Sequence, residues 1–232
     1  MFDIKKKHGA ADTMNHFYAR LLNMIIGLIL YAFGIIISIK ANIGYAPWEV
    51  FHVGLAVTTG ISLGLVTIIV GIVIVILVTV MGEKLGFGTI CSMLLTGIFI
   101  DIILFVDFIP TSQNIVLGII MLVIGLFFIS LGSYFYIKSA FGVGPRDNLM
   151  VVLARKTKIP VGVCRCIIEL LVTIIGWLLG GMVGIGTIIS VIAIGFCIQI
   201  TFKALKFDVT AVKHESLKDT LALWSGKRKP TV

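Results

Sequence analysis

Leu21 to Ile39 reads LLNMIIGLILYAFGIIISI, nineteen residues without a charge. At 1.5 Å per residue a helix of that length reaches about 28 Å, close to the ~30 Å of hydrocarbon in a bilayer. Five further stretches share this character: Ile61–Met81, Gly88–Val106, Asn114–Ile137, Val161–Gly180 and Ile185–Phe202. None holds more than two charged residues. The whole chain of 232 residues is 59% hydrophobic and 13% charged, with a mean hydropathy of +1.13. Soluble domains carry about twice that charge, and a soluble core of this size has no room for so much apolar surface. The composition excludes a soluble enzyme, a nucleic-acid reader and a secreted scaffold. It predicts an all-α polytopic membrane protein with six transmembrane helices. The first run lacks a small-residue cleavage site, so it reads as a retained span rather than a signal peptide.

Two shorter units interrupt the series, Pro47–Thr58 and Pro145–Arg155. Each is too short to cross and reads as a short re-entrant or interfacial helix. With the N-terminus in the cytoplasm, 17 of the 19 Lys and Arg fall on the cytoplasmic side. Lys40 alone faces out and Arg165 lies within a span. This positive-inside bias supports six crossings with both termini cytoplasmic. The four cysteines, Cys91, Cys164, Cys166 and Cys197, all sit in apolar segments and read as small core residues, with Cys164 and Cys166, two apart, on different helix faces.

Sliding the chain against itself by 98 residues reveals a duplication. Of the eleven glycines between Leu21 and Val106, eight land on another glycine. Gly27 and Gly34 meet Gly125 and Gly132; Gly44 meets Gly142; Gly64 meets Gly162; Gly82, Gly86, Gly88 and Gly97 meet Gly180, Gly184, Gly186 and Gly195. At this glycine frequency chance supplies about one match. Each copy holds three crossings, an odd number, so the second copy is expected to sit inverted relative to the first. Inverted repeats of this kind are common in secondary transporters, although duplication alone also makes a stable bundle. The predicted organisation is a cytoplasmic segment 1–19, membrane repeats 20–108 and 114–204, and a basic cytoplasmic tail 205–232. Within that tail Leu217, Leu221 and Trp224 recur at helical spacing, as in a helix lying on the inner leaflet.

The short units open alike, as Gly44-Tyr45-Ala46-Pro47-Trp48-Glu49 and Gly142-Val143-Gly144-Pro145-Arg146-Asp147. Proline suits the first helical position, and the glycine before it allows a tight turn. Gly44, Pro47, Gly142 and Pro145 therefore shape the two loops. The acids two residues after each proline suit helix capping. Equally, inverted symmetry would bring both helix starts to a shared cavity, where Glu49, Asp147 and Arg146 line a substrate site, with Trp48 and Asn148 beside them. His52, one turn beyond Glu49, reads as packed or as lining the same place. Arg165 and Glu169, four apart on one span, share a face and can pair. Ionisable groups inside a membrane mark function by default. Asp101, near a span's end, reads as structural. The Gly86–Thr89 and Gly184–Thr187 runs read as tight turns with threonine as the N-cap. No metal, cofactor or catalytic motif is seen: H-E-x-x-H and a nucleophile elbow are both missing from the sequence.

The runs Ala41–Glu49, Thr59–Gly64 and Gly142–Met150, with Ile168-Glu169, Gly176–Gly181 and Val183–Thr187, resemble the YczE/YitT-like bacterial integral membrane proteins. The resemblance covers roughly residues 20 to 202, with Glu49 where the Pro-Trp branch usually carries Asp. It implies a bacterial plasma-membrane protein of about six spans and assigns no substrate. The residues themselves point to a small-solute transporter or channel, not an enzyme, with its polar site between the repeats. Lipid and a small polar or anionic solute are the expected partners, nucleic acid is not, and homo-oligomerisation is left open. The alternative is a membrane-embedded assembly or regulatory partner acting through the basic loop Lys138–Lys158 and the tail.

Overall fold

The computed structural model describes the backbone of residues 2–83, 85–142, 144–208 and 212, with side chains from residue 17 onward. The tail helix expected around Leu217–Trp224 lies outside the described residues. Eight helices follow in order: α1 (Phe2–Lys40), α2 (Pro47–Thr59), α3 (Leu63–Val80), α4 (Phe87–Val106), α5 (Ile115–Lys138), α6 (Pro145–Thr157), α7 (Val161–Leu178) and α8 (Ile185–Ala204). There is no strand among the described residues. Six helices are long and apolar enough to cross a membrane: Phe17–Lys40 of α1, then α3, α4, α5, α7 and α8. Their bounds agree with the sequence expectation to within two residues, apart from α1, whose backbone helix runs back to Phe2. Large apolar side chains such as Phe105, Trp177 and Phe196 are exposed, as a surface facing lipid requires.

The centre of the molecule is an antiparallel pair, α1 against α5. A Cβ on Gly27 would lie 2.6 Å from the backbone N of Tyr136 and 2.8 Å from the carbonyl O of Gly132. One on Gly34 would lie 2.6 Å from the carbonyl O of Gly125. Backbone touches backbone at both places, so only glycine fits. Lipid tails are as apolar as leucine, and such close van der Waals packing is what holds membrane helices together. Around this pair Ala32, Ile35, Ile36, Leu122 and Leu126 form the main buried cluster. α4 packs on α1, and α8 packs on α5.

The outer helices are less even. α3 lies along α4, where a Cβ on Gly64 would strike the carbonyl O of Gly97. Asp101 locks that seam: its Oδ1 accepts from the backbone N of Gly64 at 2.8 Å and its Oδ2 from Ser62 Oγ at 2.5 Å. The structural reading of Asp101 is thus borne out. The counterpart pair α7–α8 has no comparable contact. Gly162 and Gly195, the positions 98 residues on from Gly64 and Gly97, are exposed and meet no atom within 4 Å. Gln199, opposite Asp101 in the repeat, is exposed too.

Two sequence expectations need correction. Thr89 and Thr187 are not N-caps: Gly86 and Gly184 occupy those positions. Thr187, one turn further in, reaches back so that its Oγ1 accepts from the N–H of Gly184 at 3.2 Å. Among the cysteines, Cys164 and Cys197 are buried and Cys91 is half-buried, but Cys166 is exposed and no part of the core. All four are free thiols. Two residues of separation on a helix turn the side chain by about 200°, which is why Cys166 leaves the face that Cys164 buries.

Candidate functional site

The loops before α2 and α6 are pinned by matching contacts. Gly44 has φ +108° and Gly142 φ +139°, the region in which a side chain is strained. A Cβ on Gly44 would strike the backbone of Gly184, and one on Gly142 would sit 2.9 Å from Gly86 Cα. The N–H of Gly186 donates to the carbonyl of Ile43 at 2.7 Å, and that of Gly88 to the carbonyl of Phe141 at 2.8 Å. Each second contact is the first with one partner moved forward and the other back by 98 residues. Pro47 and Pro145 take up the first helical positions beyond these loops. α2 starts in the interior of the bundle, where Trp48, Glu49 and His52 are buried, whereas the first turn of α6 is partly buried at Pro145 and Arg146 and exposed at Asp147.

The acids do not cap their own helices, since neither α2 nor α6 has a side-chain cap. Glu49 instead accepts from Arg146 across the helix starts, Oε1 to Nη1 at 3.3 Å. Arg146 Nη2 lies 3.2 Å from His52 Nδ1, and its guanidinium lies 4.8 Å from the centre of the Trp48 ring. A permanent cation at Nδ1 requires that nitrogen to accept, so the imidazole proton sits on Nε2 and His52 is neutral. That Nε2 is buried without a hydrogen-bond partner among the described residues. One residue of each helix start is thus stacked on its own repeat counterpart, Trp48 on Arg146.

Beside this cluster is a cavity of about 190 Å³. Every helix contributes to its lining: Tyr31, His52, Thr67, Ser92, Thr96, Ser133, Tyr136, Arg146, Asp147, Arg165 and Ile194 among others. The candidate residues Arg146, Asp147 and Arg165 are brought together there. Glu49 and Trp48 stand behind Arg146 and fix its position. Glu169 holds Arg165, Nε to Oε1 at 2.8 Å, but does not line the cavity. Asn148 does not line it either; its backbone N donates to Gly144 O within the first turn. Both arginines carry a carboxylate partner, so neither presents an unengaged cation to an anion.

The hydroxyls of Tyr31, Thr67, Ser92, Thr96, Ser133 and Tyr136 escaped the sequence reading. Single polar residues in apolar spans bear no sequence mark of where they point. One signal was there: Thr67 aligns with Arg165 and Tyr31 with Ile129 in the repeat, and all four line the cavity.

Six membrane-length helices around a polar interior cavity define a polytopic integral membrane protein. The chain belongs to DUF6198, a family of unknown function, whose model matches residues 18–203. It is similar to the uncharacterized membrane protein YczE of Bacillus subtilis strain 168, 34% identical over 177 residues, which is 75% of this chain and 80% of that protein. An uncharacterized protein of Haemophilus influenzae is 27% identical over 179 residues, 75% of this chain and 81% of its own length. The uncharacterized protein YyaS of B. subtilis is 27% identical over 178 residues, 75% of this chain and 88% of that protein. These matches bear out the YczE-like resemblance read from the sequence. No solved structure matches the chain.

Proposed function

We propose that this protein is a small-solute transporter of the bacterial plasma membrane, built from two inverted three-helix units with the solute site in the cavity between them. The paired contacts support the inverted arrangement. Gly27–Gly132 and Gly34–Gly125 exchange under the 98-residue shift, as do Gly44–Gly184 and Gly142–Gly86. A twofold axis in the membrane plane has that effect, and it runs close to Trp48 and Arg146, which touch each other. On this reading α2 and α6 are re-entrant: the start of α2 is buried, and that of α6 meets it through Arg146. The distribution of Lys and Arg supports cytoplasmic termini.

One observation carries the transport reading: the two sides of the cavity are in different states. Along α3–α4 the glycines Gly64 and Gly97 close backbone on backbone, while their counterparts Gly162 and Gly195 stand apart. A bundle with no more than a structural role gains nothing by keeping a matched glycine pair on a seam it leaves open. An alternating-access protein uses both seams in turn, one closed while the other is open. With cytoplasmic termini, the open α7–α8 seam is the inner one.

The test needs no knowledge of the solute. Ser133 lines the cavity and becomes the only thiol in Ser133→Cys once Cys91, Cys164, Cys166 and Cys197 are replaced by alanine. A membrane-impermeant maleimide is expected to label it from either face, in right-side-out and in inside-out vesicles. Labelling from one face only, or from neither, overturns the transport reading.

A further inference from the structure

The repeat specifies an ion-pair partner that the sequence does not supply. Glu49 binds Arg146. Under the 98-residue shift this pair becomes Asp147 with residue 48, and residue 48 is Trp48, not a cation. A single arginine thus stands where symmetry would place two.

Asp147 shows the consequence. It lines the cavity and is exposed to it. It makes no hydrogen bond or ion-pair contact among the described residues. The cations whose charge reaches it are Arg165 and Arg146, and each is bonded to its own carboxylate, Glu169 and Glu49. His52 is neutral. Among the described residues three carboxyl groups, Glu49, Asp147 and Glu169, meet two guanidinium groups, so an ionised Asp147 has no counter-charge of its own. A carboxylate in a protein cavity without a counter-charge takes up either a proton or a cation.

The rest of the lining narrows the class of partner. Hard metal ions require several oxygen ligands, six to eight for calcium, and no group of three or more His, Cys, Asp or Glu able to hold a metal occurs among the described residues. The wall instead offers two aromatic rings, Tyr31 and Tyr136, and the apolar side chains of Val70, Ile74, Met93 and Ile129. Aromatic faces attract organic cations, and the apolar side chains suit a short carbon body. At ~30 Å³ per water, 190 Å³ is room for about six, so that body is small.

We propose that the cavity takes a small organic cation, whose ammonium group supplies the charge partner the second repeat lacks at Asp147. This deepens the transport reading of the same cavity and rests on it. It also replaces the expectation of an anionic solute, since both arginines are engaged. On this proposal the ammonium pairs with the Asp147 carboxylate, and the same wall supplies the hydroxyls of Tyr31, Thr96 and Ser133 and the apolar side chains of Met93 and Ile129.

The experiment is thermal unfolding of the purified full chain in detergent, with three probes of matched shape: n-butylammonium, n-butanol and butyrate. The expected result is that n-butylammonium raises Tm while the other two do not. In Asp147→Asn, a near-isosteric change, the affinity for n-butylammonium is expected to fall by about tenfold or more. Protection by butyrate, equal protection by all three, protection by none, or full protection surviving in Asp147→Asn overturns the proposal. The three-probe comparison uses the unaltered chain, so it decides the matter even if the variant does not fold. Failure here with Ser133→Cys labelled from both faces removes the cation and leaves transport standing. Success here with one-sided labelling does the reverse.

Discussion

Replacing Glu49 by alanine removes the one carboxylate bonded to Arg146 at the meeting of the two short helices. The guanidinium side chain is 21% exposed and that of Glu49 9%, so neither charge can turn to bulk water instead. At 3.3 Å and an effective dielectric of about 20, the gross attraction is about 5 kcal/mol, much of which offsets desolvation. Removing one partner of a buried pair costs about 3–5 kcal/mol, because the other charge is stranded. Arg146 keeps His52 Nδ1 and the Trp48 ring, which places Glu49→Ala at the lower end, about 3 kcal/mol. Arg146→Met strands the more deeply buried partner and falls at the upper end, about 4–5 kcal/mol. The double variant Glu49→Ala/Arg146→Met strands nothing, so its loss is expected to be smaller than the sum by about 2 kcal/mol or more. Chains of this length lose about 2–4 °C of Tm per kcal/mol. Thermal unfolding in detergent is thus expected to show a drop of roughly 6–12 °C for Glu49→Ala, with the double variant at least about 4 °C above additivity. Additive losses, within about 0.5 kcal/mol, would refute the coupling.

Gly34→Ala places a methyl 2.6 Å from the carbonyl of Gly125 and 2.7 Å from the backbone N of Ile129, neither of which can turn aside. It is expected to cost about 1–3 kcal/mol, whereas Gly195→Ala, which meets nothing within 4 Å, is expected to cost nothing measurable in the same unfolding assay. In a background without other thiols, Gly162→Cys/Gly195→Cys is expected on the transport proposal to form a disulfide under mild oxidation in native membranes, since alternating access would bring α7 onto α8 as α3 now lies on α4. A folded double variant that stays reduced counts against the second state.

The architecture was legible in the sequence because lipid imposes a simple rule. A span must satisfy its own backbone and show about 20 apolar residues to hydrocarbon, and both demands are local. The 98-residue glycine repeat was equally plain, since backbone contact admits one residue type alone. Gly44 and Gly142 before Pro47 and Pro145 marked the starts of the two short helices for the same reason. What the sequence could not settle was which charges meet. Glu49 and Arg146 are 97 residues apart, and only the antiparallel closure of α1 on α5 carries one to the other. Asp147 reads in the sequence as the twin of Glu49, yet the fold gives Glu49 a cation and leaves Asp147 facing the cavity, because its counterpart position holds Trp48. Gly162 and Gly195 likewise match Gly64 and Gly97 letter for letter, and only the tertiary structure separates a seam that is packed from one that stands open. Local sequence fixes what each segment can do; contact between distant segments decides which of two matched halves does it.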